Sequence, residues 1–89
     1  MSNERIAGQL SALADEVELG HTSVSDFAAQ LLGHAEALER MPYSRVKEAQ
    51  MVTAQLRLAI EHGQEQTVDV HRLGDWLRAW VAHVPTGPA

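Results

Sequence analysis

The chain has 89 residues and a formal net charge of −5, and 45% of its residues are hydrophobic against 21% that are charged. These values fit one small globular domain. The lack of cysteine excludes disulfides and thiolate chemistry, and no segment approaches the roughly 18 apolar residues of a membrane span, so no membrane interaction is expected. The N-terminal stretch has neither a basic start nor an unbroken apolar run, so we expect no signal peptide and a cytoplasmic location.

The first predicted helix covers residues 3–19. Its apolar positions are spaced four, three and four residues apart and form one narrow stripe, which consists of Ile6, Leu10, Leu13 and Val17. Ser2 or Asn3 is expected to cap its start. Gly20 suits the left-handed residue that ends many helices.

The excess negative charge is confined to the first part of the chain. Residues 1–40 contain seven acidic and two basic side chains, whereas residues 41–89 contain five of each. Asp15, Glu16 and Glu18 therefore form a candidate acidic face. An acidic surface repels nucleic acid and favours a basic protein partner. The alternative is a solvated surface that binds nothing.

The stretch GHTSVSDFAAQLLG, residues 20–33, is either a ligand-binding loop or the hinge between two helices. Ser23 fits an N-cap and Asp26 the third helical position, a variant of the capping box. A phosphate-binding loop needs more glycine and a basic residue at the helix start, so the pattern favours the hinge. The second helix is expected to end near Arg40, because Pro42 disfavours a helical residue before it. Its buried face should contain Phe27, Leu31, Ala35 and Leu38.

The third predicted helix, residues 45–62 after a Ser44 cap, is apolar on two sides. Its main stripe consists of Val46, Ala49, Thr53, Leu56 and Ile60. A second stripe on the opposite side consists of Met51, Ala54 and Leu58. Either other helices cover both sides, or the second stripe is open and Trp76 or Tyr43 extends it into a contact patch. The candidate interface residues are therefore Met51, Ala54, Leu58, Trp76 and Tyr43.

The last helix follows the connection GQEQTV, residues 63–68. Asp69 is expected to cap it, and Val68 and Leu73 have the spacing of a hydrophobic staple. Pro85 ends the helix, and residues 86–89 are expected to form a flexible tail. The apolar face of this helix should contain Val70, Leu73, Leu77, Trp80, Val81 and Val84.

Four helices joined by short connections predict one all-α domain, residues 1–85, folded as a small up-down four-helix bundle. The fallback is a three-helix bundle with a loosely docked C-terminal helix. Gly33 inside the second helix would mark a close helix crossing. The residues expected to be nearly inaccessible are Leu13, Phe27, Leu31, Leu56, Ile60, Leu77 and Trp80.

The sequence contains no recognisable catalytic or metal-binding set. His71 and Asp75 lie one helical turn apart, but a zinc site needs three or four ligands, so a surface ion pair is expected. The paired acids fall on predicted outer faces, away from the apolar cleft that catalysis by a carboxylate requires. We therefore expect no enzyme activity, no cofactor and no metal.

These observations favour a small non-enzymatic protein-interaction or regulatory module. Bacterial immunity proteins, antitoxins and adaptors offer an analogy of composition and fold class, but no motif links the chain to them. The alternative is a helical homodimer that closes through the third helix. A nucleic-acid-binding helix-turn-helix comes third, because Arg45, Lys47 and Arg57 are the only basic features of this region in an acidic chain.

Overall fold

A computed structural model describes residues 2–86 and confirms the all-α prediction. Among these residues there are four α-helices, one short 3-10 helix and no strand. Residues 87–89 of the predicted tail lie outside the described residues. The helices are α1, Asn3–Glu18; α2, Val24–Ala37; α3, Tyr43–Glu61; and α4, Val70–Val81; the 3-10 helix is Glu65–Thr67.

The packing order places α1 and α2 in the middle of the bundle. Helix α1 packs against α4 on one side and α2 on the other, and α2 packs against α3. The molecule is accordingly elongated, with extents of 44 × 24 × 19 Å. Because α3 packs mainly against a single helix, one of its two apolar sides has no helix over it.

The predicted core is confirmed at six of its seven positions. The exception is Ile60, which is half-buried near the end of α3, a helix that packs mainly against α2. Trp80 is buried and its indole Nε1–H donates a hydrogen bond to the carbonyl of Arg45 at 2.9 Å, which ties the end of α4 to the start of α3. The innermost large side chains include Phe27 and Leu31 of α2 and Leu77 of α4.

Three predicted helix starts and one helix end are confirmed. Ser2 and Ser23 accept hydrogen bonds from backbone N–H groups three residues later, and Asp69 accepts from His71 and from the residue after it. Such caps satisfy N–H groups that have no partner inside the helix. Gly20 follows α1 with φ of +77°, the left-handed conformation that glycine adopts without a Cβ penalty. The stretch between α1 and α2 is therefore a capped connection between two helices, which is what the hinge interpretation predicted.

The connection between α2 and α3 differs from its prediction. Helix α2 ends at Ala37, three residues earlier than expected, and Arg40 turns the chain with φ of +60°. Helix α3 begins at Tyr43, with Pro42 as N-cap and no side-chain hydrogen bond, so the predicted Ser44 cap is wrong. Proline has its φ already fixed near the value required there and lacks an N–H to satisfy, so it begins a helix without side-chain help.

The expected close helix crossing at Gly33 is also wrong. Gly33 is exposed, and a Cβ built there would meet nothing within 4 Å. The close approach occurs at Gly74 of α4 instead, where a Cβ would overlap the carboxylate of Glu18 on α1. The glycine that leaves room for a neighbouring side chain is therefore in α4, at the α1–α4 contact, and not in α2.

Asn3 joins three distant segments of the chain, a role that its sequence position did not reveal. Its side-chain amide donates to the carbonyls of Glu39 and Pro85, at 2.7 and 2.8 Å. Its amide oxygen accepts from the N–H of Glu39 at 2.9 Å. One side chain thus holds the start of α1 against the α2–α3 connection and the segment that follows α4.

Candidate functional site

The outward face of α3 carries large apolar side chains in solvent. Tyr43 is 73% exposed, Met51 55% and Leu58 56%, and Ala54 between them is also exposed. At about 100° per residue, these four positions fall within an arc of about 80° on one side of the helix. Four of the five candidate interface residues therefore share one surface, which we call the α3 face.

The α3 face is open because the opposite side of the helix supplies the core contact. Ala49, Thr53 and Leu56 are buried against the bundle. The Thr53 hydroxyl donates to the carbonyl of Ala49 at 2.8 Å, so this buried polar group is satisfied within its own helix. With α2 as its main packing neighbour, α3 has no second helix to cover Met51 and Leu58.

A groove runs between α2 and the α3 face. Its volume is about 520 Å³, and its apolar wall is formed by Leu32 of α2 together with Ala54 and Leu58 of α3. The charged groups at its rim are Glu36, Arg57 and Glu61. A groove with an apolar wall and with charged groups of both signs at its rim can accommodate an amphipathic helix. No catalytic arrangement among these lining residues is evident.

Trp76, the fifth candidate, lies on a different helix. It is half-buried on α4, and its ring centroid lies 6.2 Å from that of Trp80 with 30° between the ring planes. Helix α4 packs against α1, whereas the other four candidates lie on α3. The structure therefore places Trp76 at the edge of the core and not among the residues that line the groove.

Two residues of the candidate acidic face are ion-paired within the chain. Arg78 of α4 donates to Asp15 at 2.7 Å and to both carboxylate oxygens of Glu18 at 2.9 and 3.1 Å. Glu16 is exposed and accepts a hydrogen bond from the Thr22 hydroxyl at 3.3 Å. One guanidinium of α4 therefore engages two of the three carboxylates of this face, and Asp75 of α4 shares the same guanidinium.

The Arg78 hydrogen bonds shift the titration of Glu18. They hold the pKa of the Glu18 carboxyl below its ordinary value of 4.5, because they favour the ionised form. Reciprocally, the carboxylates of Glu18 and Asp15 raise the pKa of Arg78, which stays charged throughout. Gly74 provides the room in which the Glu18 carboxylate sits. A glycine inside the otherwise helical stretch RLGDWLR was the available sequence signal for this close approach.

The expected ion pair between His71 and Asp75 is not formed. Asp75 contacts Arg78 at 3.2 Å, because a guanidinium one turn away offers a permanent charge and a planar set of donors. His71 lies instead with its Nδ1 4.0 Å from Glu18 Oε2. Within residues 2–86, no group of three or more histidine, cysteine, aspartate or glutamate side chains is arranged to hold a metal ion.

No protein-family model, curated protein or solved structure matches the chain. In the part of the chain that the structure describes, no helix has both the length and the apolar character needed to cross a lipid bilayer.

Proposed function

We propose that the chain is a small non-enzymatic protein-interaction module whose binding surface is the α3 face with the adjoining groove. The observation that carries this proposal is the exposure of Met51 and Leu58, each more than half accessible and two turns apart on one side of the helix. Contiguous exposed apolar side chains mark contact surfaces more often than isolated ones do. Methionine adds a flexible, polarisable side chain that adapts to the shape of a partner.

The chemistry of the groove favours a helical partner. An amphipathic helix would place apolar anchors one and two turns apart against Leu32, Ala54 and Leu58. Basic side chains beside those anchors would meet Glu36 and Glu61 at the rim. The acidic side of α1 contributes less to this proposal, because Arg78 already neutralises part of it.

A photo-crosslinking side chain placed at Ala54 tests this proposal in the cells that make the protein. We expect a crosslinked protein adduct, identified by mass spectrometry, that disappears when Leu58→Glu is added. The same crosslinker at Gln9, an exposed position on α1, is the matched control and should give no such adduct. Absence of any protein adduct from position 54 would refute the proposed function.

A further inference from the structure

The α3 face has a residue pattern that is complementary to itself. Lys47, Met51, Ala54, Leu58 and Glu61 follow one another at separations of four, three, four and three residues, the spacing of a coiled-coil seam. All five are exposed. The seam has a positive charge at one end, a negative charge at the other and apolar side chains between them.

We propose that the α3 face binds a second copy of the chain, whose α3 packs antiparallel across a two-fold axis at Ala54. This inference rests on the proposed function and names the partner. In such a pairing each residue meets the one equally far on the other side of the axis. Lys47 then lies beside Glu61 of the second copy, since each is seven residues from Ala54, and Ala54 lies beside its own counterpart. Met51, three residues before Ala54, and Leu58, four residues after it, differ in level by a single residue and therefore pack together.

The charges select the antiparallel orientation. A parallel pairing in register would place Lys47 beside Lys47 and Glu61 beside Glu61, which is repulsive at both ends. The antiparallel pairing forms an attractive pair at both ends. Neither Lys47 nor Glu61 has an ion-pair partner among residues 2–86, so both charges are available.

The centre of the seam and its flank both suit a second helix. Ala54 is the smallest side chain of the seam and lies at its midpoint, so two helix axes can approach closely there. The groove adds Leu32 of α2 as a further apolar wall along one side. This wall matters because a seam of two heptads is a short interface, and we expect a dimer that dissociates on dilution.

A crosslinking experiment follows from the composition of the chain. Lys47 is its only lysine. Lys47 and Glu61 are separated by about 21 Å along one helix, so an amide between them must join two copies. A carbodiimide, which forms such an amide with loss of one water, should therefore yield a Lys47–Glu61 linked peptide. The linked peptide should come from a species of about twice 9.8 kDa.

Charge reversal tests the orientation in solution. Sedimentation from about 1 µM to about 1 mM measures the dimer dissociation constant. Lys47→Glu or Glu61→Lys alone should weaken dimerisation by about tenfold or more, because each places like charges together at both ends. The double variant should restore the dimer, and a mixture of the two single variants should form a heterodimer. Arg72→Glu, an exposed reversal on α4, is the matched control and should leave dimerisation unchanged.

Each alternative outcome identifies what has failed. A chain that stays monomeric up to about 1 mM and gives no Lys47–Glu61 peptide overturns the dimer. The proposed function survives that result if position 54 still crosslinks to a different protein, and fails with it if position 54 crosslinks to none. A chain that still dimerises with Met51→Glu, or whose dimer is not restored by the double charge reversal, associates through another surface. Either result also overturns this inference.

Discussion

Two glycines inside helices have opposite surroundings. Gly33 of α2 is exposed with open space around it, whereas Gly74 of α4 is buried beneath the carboxylate of Glu18. Glycine lowers helix stability relative to alanine wherever it lies in a helix interior. The structural reason for glycine at Gly74 is room for another residue's side chain, and Gly33 has no such reason.

Gly33→Ala should therefore stabilise the protein by about 0.4–1 kcal/mol, because alanine reduces the conformational freedom of the unfolded chain without meeting a neighbour. Gly74→Ala should gain less or nothing, because its new methyl group must displace Glu18 from Arg78. Urea unfolding of the two variants measures the difference. Equal stabilisation by both substitutions would contradict the close approach at Gly74.

The Glu18–Arg78 pair predicts how stability depends on pH. The folded-state pKa of Glu18 lies below 4.5, so the pair contributes stability above that pH and loses it as the pH falls through the folded-state pKa. Glu18→Gln should lower the melting temperature near pH 7, and the difference from the wild type should shrink as the pH is lowered to about 3. His71 and Asp15 also face Glu18, the first attractive when protonated and the second repulsive.

Thermal unfolding across this pH range tests the prediction. Glu16→Gln is the matched control, because Glu16 is an exposed acid on the same helix whose hydrogen-bond partner is Thr22 and not Arg78. A Glu18→Gln curve that stays parallel to the wild-type curve at every pH would show that Glu18 contributes nothing through its charge.

At the scale of the helices, local signals predicted where α1, α2 and α4 begin. Ser2, Ser23 and Asp69 were readable as caps because a cap needs only the residue itself and N–H groups two or three residues away. The predicted start of α3 was two residues too late, because Ser44 has the side-chain acceptor typical of a cap whereas the helix begins after Pro42, which makes no side-chain hydrogen bond. The Asn3 hydrogen bonds could not be predicted from local sequence, because the partners Glu39 and Pro85 are 36 and 82 residues away along the chain.

Asn3→Ala should destabilise the protein by about 0.5–1.5 kcal/mol, since it removes three hydrogen bonds, of which the one to the Pro85 carbonyl is part-buried and the two to Glu39 are exposed. Urea unfolding gives the change in free energy. Gln9→Ala, an exposed polar residue of the same helix, should change it by less than about 0.5 kcal/mol. Hydrogen exchange should also accelerate at the N–H of Glu39 in Asn3→Ala. A neutral Asn3→Ala would mean that the three segments are held together by packing alone.

At the scale of the whole molecule, two leucines illustrate the difference between a core position and a surface position. Leu31 is fully buried on α2, whereas Leu58 is more than half exposed on α3. Leu31→Ala should cost about 2–5 kcal/mol through lost contacts and a residual cavity. Leu58→Ala should cost less than about 1 kcal/mol in dilute protein, because little packing is lost. Denaturant unfolding of both variants, at a concentration where the chain is monomeric, measures the contrast. A cost at Leu58 as large as that at Leu31 would place it in a core.

The sequence by itself determined four helices, three of their caps, the buried stripe of α1, most of the buried positions of α2 and α4, and the existence of two apolar sides on α3. These properties depend on spacing within about 20 residues, where helical geometry relates each position to its neighbours. The predicted positions Leu38, Val70 and Val81 are half-buried, and Leu38 lies beyond the end of α2. Only the tertiary structure decided that Ile60 is half-buried, that Trp76 lies apart from the α3 face and that Arg78 engages Asp15 and Glu18. It also decided that α4 packs on α1 and leaves Met51 and Leu58 open. The physical reason is that periodicity shows which side of a helix is apolar, whereas the competition among all the helices for contact decides which side is covered.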